Sequence, residues 1–509
     1  MLSGLLFYFG WPSFASTFLL FFAFVPLFII ENRIESNKSY WLHVWLAMFI
    51  WNASCTWWIY YATAGGMVMA VIANSLLMTV PFGLYRFTKR SYGQRAANLS
   101  FVIYWLAFEY FHLNWDLSWP WLTLGNAFSA STWMIQWYEY TGVLGGTLWL
   151  LVLNVWIFDV LRHETVKRIR FTAPVLTFVI PVLISWSIDL PEMGAEEEVV
   201  VLQPNIDPYN AKFEGSEDYM PYEDQLKLML QQASESITPQ TKYVLAPETA
   251  IQGNHQISNL KNDRMVWMVR EFVQKHPHVN YLTGIELIEW YRDESKLPEQ
   301  FRTSRNGHKY NTFNAAMYLN AVGDSIYKKS KFVPGAEQLP YPKVLGFVLK
   351  IINFDQYGMY VPQKERTAFY TQDSIAFAPI ICYESIFGDF VAEHVRNGAN
   401  YLFIITNDGW WADTDGHRQH NMYAKLRAIE FRRYVARSAN TGISSVIDPK
   451  GNTIVDSKWW TRDVLSAKIR PIKTLTYYAQ QGDYIGRIAA FMAIGFMVSA
   501  FVRKRINRK

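Results

Sequence analysis

The sequence predicts a multi-pass α-helical membrane domain joined to a soluble α/β domain. Three observations carry this prediction: 51% hydrophobic residues against 18% charged ones, repeated apolar runs of bilayer length, and a change of texture near Glu196. From there, short apolar runs alternate with amphipathic helical stretches, as in an α/β domain. An ordinary soluble enzyme is less apolar than this chain. A net charge of +5 over 509 residues also excludes the concentrated basic face of a nucleic-acid-binding protein.

The membrane helices are predicted from length, since a helix needs about 20 apolar residues to cross a bilayer. The run 2–11 is short and is counted as a first, short helix. Longer apolar runs cover 13–31, 41–62, 66–87, 98–113, 137–161, 171–190 and 484–502. We therefore expect about eight helices: a transmembrane domain over 1–190, and a last helix with a basic tail over 484–509. A cleavable signal peptide is the alternative for the first run, but a basic start and a small-residue cleavage site are missing.

The basic residues predict the orientation, because Lys and Arg in short loops stay on the cytoplasmic side. They fall on alternate loops: Arg33, Lys38; Lys89, Arg90, Arg95; Arg162, Lys167, Arg168, Arg170; and Arg503, Lys504, Arg505, Arg508, Lys509. Both termini are then cytoplasmic, and 191–483 is an extracytoplasmic domain.

An aromatic stretch, Trp115 to Trp137, falls on the outer side between the fifth and sixth predicted helices, 98–113 and 137–161. It is interpreted either as an interfacial aromatic belt or as part of a route for lipid. Glu109, near the end of the preceding helix, is costly in hydrocarbon, so we expect it at the headgroup level or lining a cavity.

The soluble part contains apolar runs that predict strands and amphipathic runs that predict helices. The strands are Val199–Gln203, Tyr243–Ala246, Tyr281–Ile285, Ala315–Leu319, Ile375–Cys382, Tyr401–Thr406 and Ser444–Ile447, and the helices include Tyr222–Ser236 and Arg264–Lys275. Asn320–Asp324 is predicted to form a hairpin turn. Residues 338–373 are a long insertion of the kind that forms lids or binding loops.

Three stretches place a reactive group where a strand can aim it into a cleft: Pro247-Glu248, the lysine-rich Tyr327–Glu337, and Cys382-Tyr383-Glu384. Singly, each has a structural explanation, and two cysteines, Cys55 and Cys382, are too few for a disulfide framework. Together the three stretches supply a carboxylate, an ammonium and a thiol. A thiol nucleophile needs a base or a nearby cation. An ammonium beside the substrate carbonyl would stabilise the oxyanion, each such donor contributing about 3 kcal/mol.

The order Glu, Lys, Cys with these neighbouring residues resembles the nitrilase superfamily, whose fold is a four-layer αββα sandwich. Membrane helices around such a domain resemble the bacterial apolipoprotein N-acyltransferase family over nearly the whole chain. Further similarity lies in Trp119-Pro-Trp-Leu, Gln203-Pro-Asn-Ile, Asn407-Asp-Gly-Trp-Trp and the stretch from Arg427-Ala-x-Glu430 to Asn440-Thr-Gly442.

The resemblance implies a role for each matching residue. Glu248 would be the base and Cys382 the nucleophile, with Glu337 and Glu384 as supporting acids and Tyr383 packed beside the thiol. The family spacing, two residues after the tyrosine and eight before the second glutamate, selects Lys329.

Further residues are candidates for the role of the lysine or for contact with the substrate. Lys331 is the runner-up for the lysine, since strand alternation would put it on the same face as Lys329. Phe213 stands near the position of a family tryptophan. Phe213, Trp410 and Trp411 are expected to contact the substrate.

The implied reaction is a two-step acyl transfer without a cofactor. Cys382 would take an acyl chain from a membrane phospholipid as a thioester, then pass it to the N-terminal amine of a diacylglyceryl-cysteine lipoprotein. The expected protein is a monomer of the cytoplasmic membrane that binds no nucleic acid. Outer loops, including 338–373 and Trp410-Trp411, should shelter the thioester from water.

Three alternatives remain open. A membrane-tethered amidase or nitrilase would use the same residues to hydrolyse a small C–N substrate. A transporter or lipid-binding scaffold would keep its activity without Cys382. A metal site is suggested by His417 and His420 beside Asp408, Asp413 and Asp415, but their spacing favours a solvated polar loop, and we expect no metal.

Overall fold

The computed structural model describes residues 1–163, 169–293, 297–298, 301–338, 340–341 and 360–506. It divides into two compact units. The first, the membrane unit, comprises Met1–Asp189, Thr414–Glu430 and Thr476–Lys509; the second, the α/β unit, comprises Leu190–Asp413 and Phe431–Leu475. Most of the predicted insertion over 338–373, at 339 and 342–359, lies outside the described residues.

The membrane unit is helical, as its apolar composition predicts. Its first helices are α1 Leu2–Phe9, α2 Val25–Arg33, α3 Asn37–Thr56, α4 Ile59–Ala62, α5 Ala64–Leu77, α6 Val80–Tyr92, α7 Gln94–Leu113, α8 Tyr138–Thr141, α9 Val143–Leu161 and α10 Ile169–Ser187. In the described part of the chain, three helical spans are long and apolar enough to cross a membrane: 64–92, 143–161 and 484–506. The apolar helix over 171–187 is shorter. The figure of about eight crossings stays a prediction.

The predicted helix over 13–31 is wrong as one continuous element. Short 3₁₀ turns at Pro12–Phe14 and Thr17–Phe22 precede α2. Asn154 of α9 bonds the broken backbone: its Oδ1 accepts from the Phe24 N–H at 2.9 Å, and its Nδ2 donates to the Leu20 carbonyl at 2.9 Å. Irregular backbone in an apolar environment persists only where such partners exist. A side chain more than 120 residues away in sequence therefore decides where this helix begins.

The aromatic stretch after α7 folds inward as 3₁₀ turns, including Pro120–Leu122 and Leu124–Ala130. The aromatic-belt interpretation is wrong for Trp121, which is 1% exposed. Glu109 is also buried, and it bonds this segment: its Oε1 accepts from the Leu124 N–H at 2.9 Å and its Oε2 accepts from the Thr147 hydroxyl at 2.7 Å. The carboxylate thereby satisfies the backbone of a buried loop.

The α/β unit contains two β-sheets. Its strands are β1 Glu197–Gln203, β2 Thr241–Leu245, β3 Ile251–Gln256, β4 Asn280–Tyr291, β5 Arg302–Thr303, β6 Lys309–Leu319, β7 Asp324–Lys328, β8 Phe369–Tyr370, β9 Ala376–Ile381, β10 Tyr401–Thr406, β11 Val435–Ala439, β12 Ser445–Ile447, β13 Thr453–Asp456 and β14 Asp463–Ile469. One sheet has the order β14-β1-β2-β4-β6-β5, with β3 on β4 and β7 on β6; the other has the order β13-β12-β11-β10-β9-β8.

Alternation along the strands builds the layers, because successive side chains point to opposite faces of a sheet. Val199 and Val201 of β1 pack in the core between the sheets, with Phe403 of the second sheet. Val200 of β1 packs with the helices α11 (Tyr222–Ser236) and α12 (Arg264–Lys275) on the other face. Helix α13 (Gly388–Arg396) packs on β9. The predicted α/β sandwich is confirmed, with helices on both sheets.

The predicted elements agree closely with this fold. Helices α11 and α12 have the predicted bounds, and every predicted strand is present. The predicted hairpin pairs β6 with β7 in antiparallel register, Leu319 opposite Asp324. Strand β11, over Val435–Ala439, was not predicted, since Arg437 and Ser438 interrupt its apolar pattern.

The remaining helices are α14 Asp415–Phe431, α15 Tyr477–Gln481 and α16 Tyr484–Ile506. The expectation of a solvated polar loop around His417 and His420 is wrong, because both side chains are buried on α14. This helix packs within the membrane unit. The Tyr423 hydroxyl donates to the Trp121 carbonyl at 3.0 Å, and Glu430 accepts from the Val143 N–H at 3.0 Å.

Replacing Asn154 tests the broken helix. Asn154→Leu leaves the Phe24 N–H and the Leu20 carbonyl without their partner, at a cost of about 1–3 kcal/mol for each buried group. We expect a lower thermal midpoint of the detergent-solubilised protein. The control is Asn114→Leu, at an exposed amide that caps α7. Equal midpoints for the two variants would contradict the assignment.

Candidate active site

The ends of three strands bring the candidate residues together. Cys382 follows β9 directly and Asn407 follows β10; these two strands are parallel, with Ile381 opposite Ile405. Glu248 follows β2 of the other sheet. The Asn407 N–H donates to Glu248 Oε2 at 3.1 Å, so the two sheets meet at this edge.

Glu248 is buried and held by several donors. Its Oε1 accepts from Lys329 Nζ at 3.0 Å and from Asn314 Nδ2 at 2.7 Å. Its main chain passes so close to Gly284 of β4 that a Cβ there would lie 2.7 Å from the Glu248 Cα and 2.3 Å from the Thr249 nitrogen. Both the carboxylate and the backbone of Glu248 therefore have a fixed position.

Lys329 lies just beyond the end of β7 and is 1% exposed. Its ammonium donates to Glu248 and, at 2.6 Å, to Glu337 Oε1. Burial opposes the charge, but the two carboxylates outweigh burial and raise the pKa of Lys329 well above its usual value. Glu337 in turn accepts from the Val333 N–H at 2.9 Å, which closes the turn that follows the lysine.

The neighbouring lysines point elsewhere. The Lys331 ammonium lies over the Phe387 ring at 4.9 Å, and the Lys328 ammonium lies over the Phe313 ring at 3.6 Å. Strand alternation does not extend to Lys331, because β7 ends at Lys328. Of the three candidates, Lys329 is the lysine that meets Glu248 and Glu337.

Cys382 adopts a left-handed backbone conformation, with φ of +51°, between β9 and a 3₁₀ turn over Cys382–Ile386. Such a sharp turn after a strand exposes a nucleophile at the edge of a sheet. Burial raises the pKa of the thiol well above its usual value; Glu248 raises it further, whereas Lys329 lowers it. This direction disfavours the thiolate, so attack by sulfur requires a base that takes the thiol proton.

Glu384 joins the lysine segment to the cysteine segment. Its Oε1 accepts from the Tyr327 hydroxyl at 2.8 Å and the Ser330 N–H at 2.7 Å, while its Oε2 accepts from the Ile381 N–H at 2.8 Å. Burial raises the pKa of Glu384 to about 7 in spite of these donors. Tyr383, also buried, packs edge-on against Phe387.

Two of the three aromatic residues predicted to contact the substrate, Phe213 and Trp410, contact each other. The Phe213 ring stacks on Trp410 with centroids 5.6 Å apart, and Tyr209 meets Trp410 edge-on at 5.8 Å. Trp411 lies beside Trp410 in the 3₁₀ turn Asp408–Trp411 and is partly buried. Asp408 is buried in an ion pair with Arg437.

Sequence reasoning missed the polar residues that hold Glu248. Asn314 lies within β6, where an isolated asparagine carries no signal of function. Gly284, inside β4, is the kind of interior glycine that indicates a close backbone approach, and that signal was available. Asn407 begins the motif Asn407-Asp-Gly-Trp-Trp, which by itself does not indicate that its N–H bonds Glu248.

Two family models match the chain. Residues 3–156 match the apolipoprotein N-acyltransferase N-terminal domain, and residues 201–474 match carbon-nitrogen hydrolase. The second unit therefore carries a carbon-nitrogen hydrolase domain, the class that its sandwich and its cysteine site define.

Relatives that match over the whole chain define a narrower family within the carbon-nitrogen hydrolase class. The apolipoprotein N-acyltransferase of Chlorobaculum tepidum is 30% identical over 99% of this chain and 96% of its own length, and that of Geobacter metallireducens is 26% identical over 100% and 96%. The chain belongs to the apolipoprotein N-acyltransferase family. Among solved structures, Saccharomyces cerevisiae Nit3 of the nitrilase superfamily is 14% identical, with a TM-score of 0.39, over 56% of this chain and 93% of its own.

Alkylation of Cys382 tests the electrostatics of the site. In a Cys55→Ala background, the apparent pKa of Cys382, taken from the pH dependence of iodoacetamide labelling, should fall in Glu248→Gln and rise in Lys329→Met. The signs follow from removing a carboxylate that disfavours the thiolate or a cation that favours it. A shift in the same direction for both variants would contradict the arrangement.

Proposed function

We propose that this protein transfers an acyl chain from a membrane phospholipid, through a thioester on Cys382, to the N-terminal amine of a diacylglyceryl-cysteine lipoprotein. The observation that carries the proposal is the ion cluster in which the buried Lys329 bonds Glu248 and Glu337 beside the strand end that bears Cys382. Family membership over the whole chain favours acyl transfer over the hydrolysis of a small C–N substrate.

In the first step, Glu248 accepts the thiol proton while the Cys382 sulfur attacks the ester carbonyl carbon. Lys329 donates to the oxygen that becomes negative, an interaction that is stronger in the transition state than in the bound ester. When the tetrahedral intermediate collapses, the ester C–O bond breaks. The lysophospholipid leaves as an alcohol after taking the proton from Glu248.

In the second step, the amine of the acceptor attacks the thioester carbon, and Glu248 takes the proton that the amine loses. Lys329 again stabilises the oxyanion. The C–S bond breaks, and the proton on Glu248 returns to the Cys382 sulfur. An amide has replaced an ester, and the enzyme is regenerated without a cofactor.

Supporting roles follow from the contacts. Glu337 shares the Lys329 ammonium with Glu248, and Glu384 sets the distance between the lysine and cysteine segments. Tyr383 packs next to the nucleophile in the chain. Phe213 and Trp410 offer an apolar surface that fits an acyl chain or a glycerol backbone, and Trp411 extends it.

The proposed location is the cytoplasmic membrane, with 1–190 and 484–509 forming the transmembrane part. Residues 191–483 would form the catalytic domain on the periplasmic side, with both termini cytoplasmic. The alternating basic loops support this topology. An active site fixed at the membrane face suits two lipid-anchored substrates, and we propose that a monomer suffices.

A labelled acyl donor tests the mechanism. Protein incubated with phospholipid that carries a radiolabelled acyl chain should acquire a label that hydroxylamine removes, as expected for a thioester. Cys55→Ala should keep the label and Cys382→Ala should lose it. Addition of a diacylglyceryl peptide with a free N-terminus should then move one acyl mass onto the peptide. Release of free fatty acid in place of acyl-peptide would favour a hydrolase, and label in Cys382→Ala would refute the thioester.

Gly284→Ala tests the placement of the base. Its Cβ would collide with the backbone of Glu248 and Thr249, and a displacement of about 1 Å costs roughly 100-fold in rate. Acyl-enzyme formation should slow by one to two orders of magnitude, about 10–100-fold. The matched control is Gly323→Ala at the open tip of the β6–β7 hairpin, where an added Cβ meets nothing. Equal rates in the two variants would contradict the proposed role of Glu248.

A further inference from the structure

A second lysine contacts the proposed base: Lys329 bonds the carboxylate of Glu248, whereas Lys212 bonds its main chain. Lys212 is in the loop between β1 and α11 and is 2% exposed. Its ammonium donates to the Glu248 carbonyl at 3.3 Å and to the Thr249 hydroxyl at 2.9 Å. The Lys212 carbonyl in turn accepts from Gln225 of α11 at 2.8 Å, so the loop itself is fixed.

The peptide that Lys212 contacts is strained. Thr249 has φ of +50°, a conformation that is unfavourable for a β-branched residue and that persists only where its surroundings enforce it. Gly284 presses on the same peptide from β4. The ammonium bonds one acceptor on each side of the Glu248–Thr249 peptide bond, which is how a single cation can hold this turn.

Burying an ammonium is costly, and an apolar side chain would fill the same space more cheaply. The titratable groups that act on Lys212 are Glu248 after β2 and Glu286 on β4. Both favour its charge, yet burial dominates and lowers the pKa of Lys212 to about 8. The contact from α11 is with the neutral Gln225, which donates to the Lys212 carbonyl, and the adjacent Phe213 ring lies 5.9 Å from the ammonium. The Lys212 ammonium is therefore held at this position at a net electrostatic cost.

We propose that Lys212 is a positioning residue for the acyl transfer: it holds the Glu248–Thr249 peptide in its strained turn and so fixes the base for both proton transfers. The proposal rests on the function proposed above for Glu248. It assigns Lys212 no contact with substrate. The effect should therefore appear in the rate of acylation and not in the affinity for the donor.

The experiment measures single-turnover acylation of Cys382 by labelled phospholipid across pH 6 to about 9.5, a range chosen around an amine that titrates near 8. The full-length variants are Lys212→Met, Lys212→Arg and Thr249→Val, with thermal midpoints recorded for each. Lys227→Met is the matched control, at an exposed lysine of α11 that pairs with Glu223 and Asp224. Wild type and Cys382→Ala are run alongside.

We expect Lys212→Met to lower the maximal acylation rate by at least about 10-fold with a donor KM within about twofold of wild type, as for a misplaced base. Thr249→Val, which removes one acceptor, should lose several-fold. Lys212→Arg should restore most of the rate. Because the lysine loses its charge as pH rises through about 8 and arginine does not, the ratio of wild-type rate to Lys212→Arg rate should fall across that pH.

The outcomes separate the two proposals. No label on wild-type Cys382 would refute the proposed function itself. With wild type labelled, a Lys212→Met rate equal to that of Lys227→Met, or a raised KM at an unchanged rate, would overturn the positioning role. If Lys212→Met fails to fold, Thr249→Val and Lys212→Arg decide: a full rate in the first together with a pH-independent ratio for the second would also overturn it.

Discussion

One buried ammonium shared by two carboxylates is the interaction on which the candidate site depends. Lys329 is 1% exposed, and its ammonium donates to Glu248 Oε1 at 3.0 Å and to Glu337 Oε1 at 2.6 Å. A buried ammonium is tolerated only where such partners offset its loss of water. Burial and Glu248 raise the pKa of the Cys382 thiol, whereas Lys329 lowers it. The site therefore differs from cysteine sites in which a thiolate ion pair forms in advance.

Hydrogen bonds from the surrounding polar groups fix the positions of these charged side chains. Glu384 ties the backbone on both sides of the cleft, to Ser330 and to Ile381, while Asn407 and Asn314 orient the Glu248 carboxylate. Most of these donors are backbone N–H groups or amides, which do not titrate. These donors hold the Glu248 carboxylate at every pH, so a pH effect on its position would come from the two lysines that contact Glu248.

The sequence predicted most of the strands and helices of the second unit, because these depend on local patterns. The catalytic roles of Glu248, Lys329 and Cys382 stay a prediction. The strands end at Glu248 and Cys382, and the family spacing selects Lys329 over Lys331. What could not be predicted depends on distant partners. Asn154 bonds the backbone where the apolar run 13–31 departs from a helix, although the composition of that run favours one continuous helix. Trp121 is buried although its aromatic neighbours are typical of a membrane interface. Similarly, the sequence pointed to Phe213 because a family motif includes an aromatic residue there; nothing local indicates that the adjacent Lys212 reaches the main chain of Glu248.

Helix α14 has a consequence for how this protein can be divided. In sequence it lies inside the match to carbon-nitrogen hydrolase, yet it packs with the membrane helices through Tyr423 and Glu430. A fragment cut at the ends of the soluble segment would take this helix away from Trp121 and Val143, leaving a buried Arg427–Glu430 pair open to water. The two halves are consequently not interchangeable modules.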